Sequence, residues 1–139
     1  MSLVFPDVNV WVVLAIKHVH QKLALDWWQR EPGGIGFCRF TQIGLLRLLT
    51  TSAVMDGKPL TMKRAWNAYD VFAGDERVEL ISEPPAVERA FRGLSSTDHA
   101  SPKLWADAYL TAFAGECGAS VVTFDRSLSR RSSNSVFLH

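Results

Sequence analysis

The sequence predicts an α/β protein in which helices cover both faces of a parallel β-sheet. Short apolar segments alternate along the chain with helical patterns of about ten residues or more, as expected for strands joined by crossover helices. The chain has 139 residues and is 47% hydrophobic and 21% charged, which is typical of a folded protein with a buried core. Neither a linker nor an internal repeat interrupts it, so we expect a single domain over residues 1–139.

The first part of the chain alternates between the two kinds of element. Strands are predicted at residues 3–5 and 35–38, and helices at residues 9–17, 21–30, 41–50 and 61–73. The second of these helices ends at a Pro-Gly-Gly sequence. Thr41 has the hydroxyl side chain that N-caps prefer, so we expect the third helix to begin there.

The same alternation continues to the end of the chain. Strands are predicted at residues 78–81, 119–124 and 136–138, with a weaker helix at 86–94 and the strongest helix of the chain at 103–118. Pro102 suits the first turn of that last helix, and Gly118 ends it. Residues 127–135 are rich in Ser and Arg and carry no predicted element.

Polar residues follow three of the predicted strands, at the edge where parallel sheets bind ligands. Asp7 follows the first strand, Gln42 lies in the first helical turn after the second, and Asp125 follows the strand at 119–124. Each aspartate alone is explained equally well as a helix cap or a turn residue. Because all three positions converge on one sheet edge, together they indicate a site.

Asp107 is notable because its helix is apolar on almost every side. It shares one narrow polar stripe with Thr111, whereas Glu116 falls on the opposite side. A carboxylate on such a helix is unfavourable unless it is paired or bound to a cation. A salt bridge to an arginine such as Arg47, or a polar role near the helix start, remains an alternative to metal binding.

Three converging carboxylates predict a particular kind of metal site. If Asp7, Asp107 and Asp125 meet, their oxygens suit Mg²⁺ or Mn²⁺ rather than zinc, because neither Cys nor His lies between them. Crowded carboxylates raise each other's pKa unless a divalent cation neutralises them. Magnesium held by few carboxylates keeps several waters and typically serves phosphate chemistry.

Four segments, in this order, resemble the PIN domain family and in particular the VapC-type toxins of bacterial toxin–antitoxin pairs: FPDVNVWVVLA, TQIGLLRLLT, WADAYLTAFA and VVTFD. The resemblance runs from Phe5 to about Leu128. It implies a ribonuclease with a three-layer α/β/α fold, a central parallel sheet of four to five strands, and an acidic site for Mg²⁺ or Mn²⁺. The implied metal ligands, direct or through water, are Asp7, Asp107 and Asp125.

The resemblance also assigns supporting roles. Asn9 and Thr123 would hold the Asp7 carboxylate and the turn around it. Gln42 stands where the family usually has a Glu at the start of the middle helix, and an apolar stripe below it would aim its side chain toward the site. We count Gln42 among the catalytic residues, although it brings no negative charge. Asp98 is an alternative acid, but a solvated turn residue is its simpler interpretation.

The missing carboxylate leaves a second function open, namely a catalytically weak or inactive PIN scaffold that binds RNA or a protein partner. A third possibility is a phosphotransferase of the haloacid dehalogenase type, which also has an Asp after its first strand. That family uses a second Asp two residues later, where this chain has Asn9. The sequence therefore favours the nuclease.

The partners implied by the resemblance are RNA, a cognate VapB-like antitoxin whose tail fills the active-site groove, and a second copy of the chain. The net charge of +1 gives no overall attraction for nucleic acid, so RNA must bind local basic residues. The candidates are Arg39, Arg47 and Arg126, whereas Arg130 and Arg131 are interpreted as a solvated tail. Arg47 has the alternative of pairing with a site carboxylate or with an acidic group of the antitoxin.

We expect a cytoplasmic protein that does not enter a membrane. The longest apolar stretch, residues 10–16, is too short to span a bilayer and lacks the features of a secretory signal. Cys38 and Cys117 lie far apart without metal-ligand spacing, which suits a reducing compartment. His18 and His20 have no acidic or Cys partners nearby in the sequence, so we expect loop or surface roles for both.

Overall fold

The structure, a computed structural model, describes residues 2–132 and 134–139. Its strands are β1 (Leu3–Pro6), β2 (Gly34–Phe37), β3 (Val78–Leu80), β4 (Ser120–Thr123) and β5 (Ser135–Phe137). Its helices are α1 (Val8–Ala15), α2 (Gln21–Arg30), α3 (Arg39–Leu49), α4 (Met62–Ala73), α5 (Val87–Ser95), α6 (Leu104–Glu116) and α7 (Arg126–Arg131). The longest of these, α6, has 13 residues, and within the described ranges no helix combines the length and apolarity needed to cross a bilayer.

The five strands form one sheet in the order β3-β2-β1-β4-β5, and every neighbouring pair is parallel. β1 lies at the centre, with Val4 opposite Ile35 of β2 and Phe5 opposite Val121 of β4. All strands therefore end at the same edge of the sheet. This arrangement confirms the predicted α/β class and the parallel sheet, with five strands.

Helices pack on both faces of the sheet and give the predicted three layers. Successive residues of β1 point to opposite faces, so Val4 joins the core formed with α1–α4, whereas Phe5 joins the core formed with α5–α7. On the first face the Trp11 ring stacks on Phe37 with centroids 3.8 Å apart. On the second face the Phe5 ring contacts Phe113 edge-on at 5.2 Å.

Helix α3 begins earlier than predicted, and Thr41 is not its N-cap. The N-cap is Cys38, and Thr41 is the third helical residue. The Thr41 hydroxyl accepts a hydrogen bond from the Cys38 N–H and donates one to the Cys38 carbonyl, each at 3.1 Å. The expectation was wrong because a Thr at this position reaches back to the cap residue instead of capping the helix itself.

Helix α7 was not predicted at all. It is 6 residues long, and its sequence RSLSRR buries only Leu128. So short a helix with one apolar residue has no detectable periodicity. Its N-cap is Asp125, whose side chain accepts hydrogen bonds from the backbone N–H groups of Ser127 and Leu128. The helix packs against β4, β5 and α6, and its last residue, Arg131, reaches α6.

Candidate active site

Asp7 lies where β1 ends and α1 begins, because its side chain is the N-cap of that helix. Its Oδ1 accepts a hydrogen bond from the Val10 N–H at 3.1 Å, and its own N–H donates to the Val122 carbonyl at 2.9 Å. Its Oδ2 accepts the hydroxyl of Thr123, the last residue of the neighbouring strand. The residue is only 9% exposed. The parallel pairing of β1 with β4 therefore buries and orients this carboxylate.

The pKa of Asp7 is raised from 3.8 to about 6. Burial is the largest cause, since a charged carboxylate is poorly solvated there. The hydrogen bonds from Thr123 and Val10 act in the opposite direction, while the negative charges of Asp125 and Asp107 raise the pKa further. Asp7 therefore lies close enough to both other aspartates to be repelled by them.

Asp125 follows β4 and begins α7. Its Oδ1 accepts hydrogen bonds from the N–H groups of Ser127 at 2.8 Å and Leu128 at 3.3 Å. Its own N–H donates to the Thr123 hydroxyl oxygen at 2.9 Å. The single hydroxyl of Thr123 thus connects the backbone of Asp125 to the side chain of Asp7.

Asp107 lies in the first turn of α6, and its partner is Arg131 of α7. The Arg131 Nη1 donates to the Asp107 Oδ2 at 2.9 Å. Burial, followed by repulsion from Asp125, raises the pKa of Asp107, and Arg131 opposes that shift. The salt bridge suggested for Asp107 thus exists, but with Arg131 rather than Arg47. Arg131 is accordingly not a solvated tail residue.

One cavity of about 370 Å³ at the carboxyl edge of the sheet is lined by all three aspartates. Asn9 and Arg47 lie on its walls, as do two exposed apolar residues of α3, Phe40 and Ile43, whose role the sequence did not reveal. The residues that hold Asp7 in place are Thr123 and the Val10 backbone, whereas Asn9 is an exposed wall residue.

The structure does not bring Gln42 to this cavity. Gln42 is buried, at 4% exposure, and its Oε1 accepts a hydrogen bond from the Arg39 Nη1 at 2.6 Å. The residue of α3 that faces the aspartates is Gly44, two positions later and about 200° around the helix. Gln42, Leu45 and Leu49 are buried, as the apolar stripe predicted, but this stripe packs into the core, whereas a different face of α3 lines the cavity.

Gly44 itself leaves no room for an acidic side chain. A Cβ at this position would lie 2.7 Å from Cγ2 of Val8 in α1. Helices α1 and α3 pack closely at this point. Helix α3 therefore lines the cavity with a glycine, three apolar residues and Arg47.

The remaining predicted residues are distributed around the site. Arg39 is bonded to Gln42 and lines a neighbouring cavity, and the Arg126 guanidinium lies over the Phe137 ring at 5.1 Å. Of the three arginines proposed for RNA binding, only Arg47 lines the cavity of the aspartates. Asp98 lies exposed in the loop before α6, and His18 and His20 are exposed at the α1–α2 turn.

The donor set fits a hard divalent cation. Three carboxylates line the cavity, and burial, together with repulsion between them, raises the pKa values of Asp7 and Asp107; a bound cation would stabilise the charged carboxylates. Within residues 2–132 and 134–139, however, no three Asp, Glu, His or Cys side chains stand as a group that could hold an ion. Several of their oxygens accept protein hydrogen bonds instead. Coordination partly through water, which magnesium favours, agrees with this arrangement.

Three aspartates that line one cavity at the carboxyl edge of a five-stranded parallel sheet are the arrangement expected of a metal-dependent nuclease. The PIN domain model matches residues 4–133, and the chain belongs to the PIN domain family. Ribonuclease VapC41 of Mycobacterium tuberculosis (strain H37Rv) is 40% identical over 131 residues, which cover 89% of this chain and 90% of that protein. The chain is thus a VapC-type PIN ribonuclease, as the sequence predicted.

Solved structures show the same fold at low sequence identity. Mycobacterium tuberculosis VapC20 superimposes with a TM-score of 0.69 at 17% identity, over 91% of this chain and 93% of VapC20. VapBC2 from Rickettsia felis gives a TM-score of 0.61 at 15% identity, over 99% of each chain. Family membership removes the phosphotransferase alternative. PIN ribonucleases generally use a divalent metal, which agrees with the donor set described above.

Proposed function

We propose that this protein is an endoribonuclease toxin that uses Mg²⁺ or Mn²⁺ to hydrolyse phosphodiester bonds in RNA. The observation that carries the proposal is the common cavity of Asp7, Asp107 and Asp125 at the carboxyl edge of the sheet. Burial, and to a smaller degree mutual repulsion, raises the pKa values of Asp7 and Asp107, which supports the proposal because a bound cation would stabilise their charged forms.

Asp7, Asp107 and Asp125 would hold the cation, directly or through water. When bound, such a cation lowers the pKa of a water and stabilises the charge that develops on the phosphate oxygens. Thr123 orients the Asp7 carboxylate, and the α7 cap orients Asp125. Arg47, on the wall of the cavity, would bind an RNA phosphate.

The direct test replaces each aspartate in turn by asparagine, which keeps the shape and removes the charge. We expect Asp7→Asn, Asp107→Asn and Asp125→Asn to abolish RNA cleavage while circular dichroism shows an intact fold. Asp98→Asn is the matched control, because Asp98 is exposed and lies outside the cavity. Full cleavage by Asp7→Asn would contradict the proposal.

One observation favours a second candidate, a scaffold that binds RNA or a protein without cleaving it. Helix α3 presents Gly44 and not a carboxylate to the cavity, so the site has one acid fewer than the family usually has. A metal titration combined with a cleavage assay on structured RNA separates the two functions. Binding without cleavage at every Mg²⁺ and Mn²⁺ concentration would establish the scaffold.

We further propose a VapB-like antitoxin as partner and a homodimer as the assembly, in the cytoplasm. The structural relative from Rickettsia felis is a VapBC2 complex bound to promoter DNA, and FitAB, another relative, is bound to a DNA fragment. Exposed apolar residues beside the cavity, Phe40 and Ile43, suit a protein partner that covers the site. Light scattering of the purified chain, alone and with the product of a neighbouring short gene, tests both assemblies.

A further inference from the structure

A second cavity, of about 290 Å³, lies beside the active site. It is bounded by the end of α5, the loop before α6, one face of α6 and Arg131 of α7. Arg131 lines this second cavity while its Nη1 bonds to Asp107, which lines the first. The Asp107–Arg131 ion pair therefore borders both cavities, so an RNA chain bound at the aspartates could extend into the second one.

The second cavity contains a buried hydroxyl group that is unsatisfied. Thr111 lies one helical turn after Asp107, and its Oγ1 is buried without a hydrogen-bond partner among residues 2–132 and 134–139. Buried polar atoms in proteins are nearly always paired, because an unpaired one loses its bonds to water and gains nothing in return. The oxygen itself is shielded, but the Thr111 side chain lines the cavity, so rotation about its χ1 bond would exchange methyl and hydroxyl and turn the hydroxyl toward a ligand with a hydrogen-bonding edge.

The other walls combine apolar surface with a few polar groups. Leu94, Leu104 and Ala108 supply the apolar part, and the loop contributes His99 and the hydroxyls of Thr97 and Ser101. Cavities that bind small ligands are mostly apolar with a few placed polar groups, and a planar ring with polar edges suits such walls. Arg131 adds a planar cation on which an aromatic ring can stack.

These features fit a nucleobase better than a phosphate or a metal ion. Proteins that recognise RNA by sequence usually bind unstacked bases in pockets and contact their edges. We propose that the second cavity binds the base of a nucleotide adjoining the scissile phosphate, and that Thr111 helps determine which base is accepted. This inference rests on the proposed ribonuclease function and adds the origin of its sequence preference.

The test compares base preference between the wild type and Thr111→Val, which removes only the hydroxyl. Cleavage sites are mapped on a randomised RNA library with Mg²⁺, and binding of the same library is measured in EDTA. We expect the preference at one position next to the cut to fall about tenfold, with rates on disfavoured sequences unchanged. Leu94→Trp, which fills the mouth of the cavity, should reduce the same preference.

Thr61→Val is the matched control, since it removes an exposed hydroxyl at the start of α4, a helix that lines neither cavity. An unchanged preference in both cavity variants would overturn the inference, and so would an equal loss at all positions, which indicates a structural role. Weaker antitoxin binding with unchanged base preference would assign the cavity to a protein partner instead. If the wild type cleaves no RNA, the proposed function fails, and the binding measurement in EDTA still decides the role of the cavity.

Discussion

The hydroxyl of Thr123 donates a hydrogen bond to the carboxylate of Asp7, although the two residues are 116 positions apart in the sequence. They meet because β4 pairs with β1 in the centre of the sheet and both strands end at the same edge. The same hydroxyl accepts the N–H of Asp125 at 2.9 Å. One side chain thus sets the relative position of two of the three aspartates.

Replacing Thr123 by Val should therefore reduce activity and metal affinity without abolishing them. Valine has the same shape but cannot donate to Asp7, so the pKa of Asp7 rises further and its carboxylate loses its orientation. We expect a 10- to 100-fold loss of activity or metal affinity, the range typical of residues that orient metal ligands. Steady-state cleavage and Mg²⁺ titration measure both. Thr123→Ser, which keeps the hydroxyl, should recover most of the activity.

The raised pKa of Asp7 predicts how stability depends on pH in the metal-free protein. The group titrates near 3.8 when unfolded and at about 6 when folded, so the folded state binds the proton more tightly. Asp7 therefore does not lower the free energy of unfolding below pH 3.8, and that free energy decreases as the pH rises from 3.8 through about 6. At higher pH the ionised Asp7 lowers the free energy of unfolding by roughly 3 kcal/mol.

Asp7→Asn removes this penalty. In EDTA the variant should unfold at a higher urea concentration than the wild type at pH 8, and the difference should disappear below pH 4. Asp98→Asn, at an exposed loop position, should change the free energy of unfolding by less than about 0.5 kcal/mol at either pH. A stability difference of the same size at pH 8 and below pH 4 would show that Asp7 is not the group responsible.

Arg131 competes with any cation for Asp107, and this yields a prediction for metal affinity. Because the Asp107 side chain is 21% exposed and that of Arg131 is 45% exposed, their ion pair contributes less than about 1 kcal/mol to stability. Arg131→Ala should therefore leave the melting temperature nearly unchanged but tighten Mg²⁺ binding several-fold in calorimetric titration. Arg130→Ala, an exposed neighbour on α7, is the control. Equal Mg²⁺ affinity in the wild type and Arg131→Ala would contradict the competition.

The close contact of Gly44 with Val8 predicts a packing effect. An added Cβ would lie 2.7 Å from Val8 Cγ2, so Gly44→Ala should lower the free energy of unfolding by about 1–3 kcal/mol. Shortening the opposing side chain in the Gly44→Ala/Val8→Ala double variant should restore part of the loss relative to Val8→Ala alone. Gly93→Ala, where a Cβ meets nothing within 4 Å, should instead stabilise by about 0.5–1 kcal/mol. Urea denaturation measures all four proteins.

The sequence predicted those parts of the molecule that depend on regular patterns. The strand and helix alternation identified the parallel sheet, and the positions of Asp7 and Asp125 after apolar strands placed them at its carboxyl edge. Asp107 was identifiable because a carboxylate on an apolar helix needs a partner. These arguments use local spacing together with a general rule about where parallel sheets bind ligands.

The features that the sequence did not predict leave no periodic pattern of apolar residues. The apolar stripe of α3 shows which of its residues are buried but not which face borders the cavity, and the cavity is lined by the face of Gly44, not by that of Gln42. The six-residue α7 has no periodic signal, so the pairing of Arg131 with Asp107 could not be anticipated.

The most direct test of the account is the anomalous scattering of a crystal grown with Mn²⁺. We predict a manganese peak in the cavity, within direct or water-mediated reach of Asp7, Asp107 and Asp125, that is lost in Asp107→Asn. RNA cleavage by a protein whose manganese binds elsewhere, or by one that shows no peak in this cavity, would contradict it.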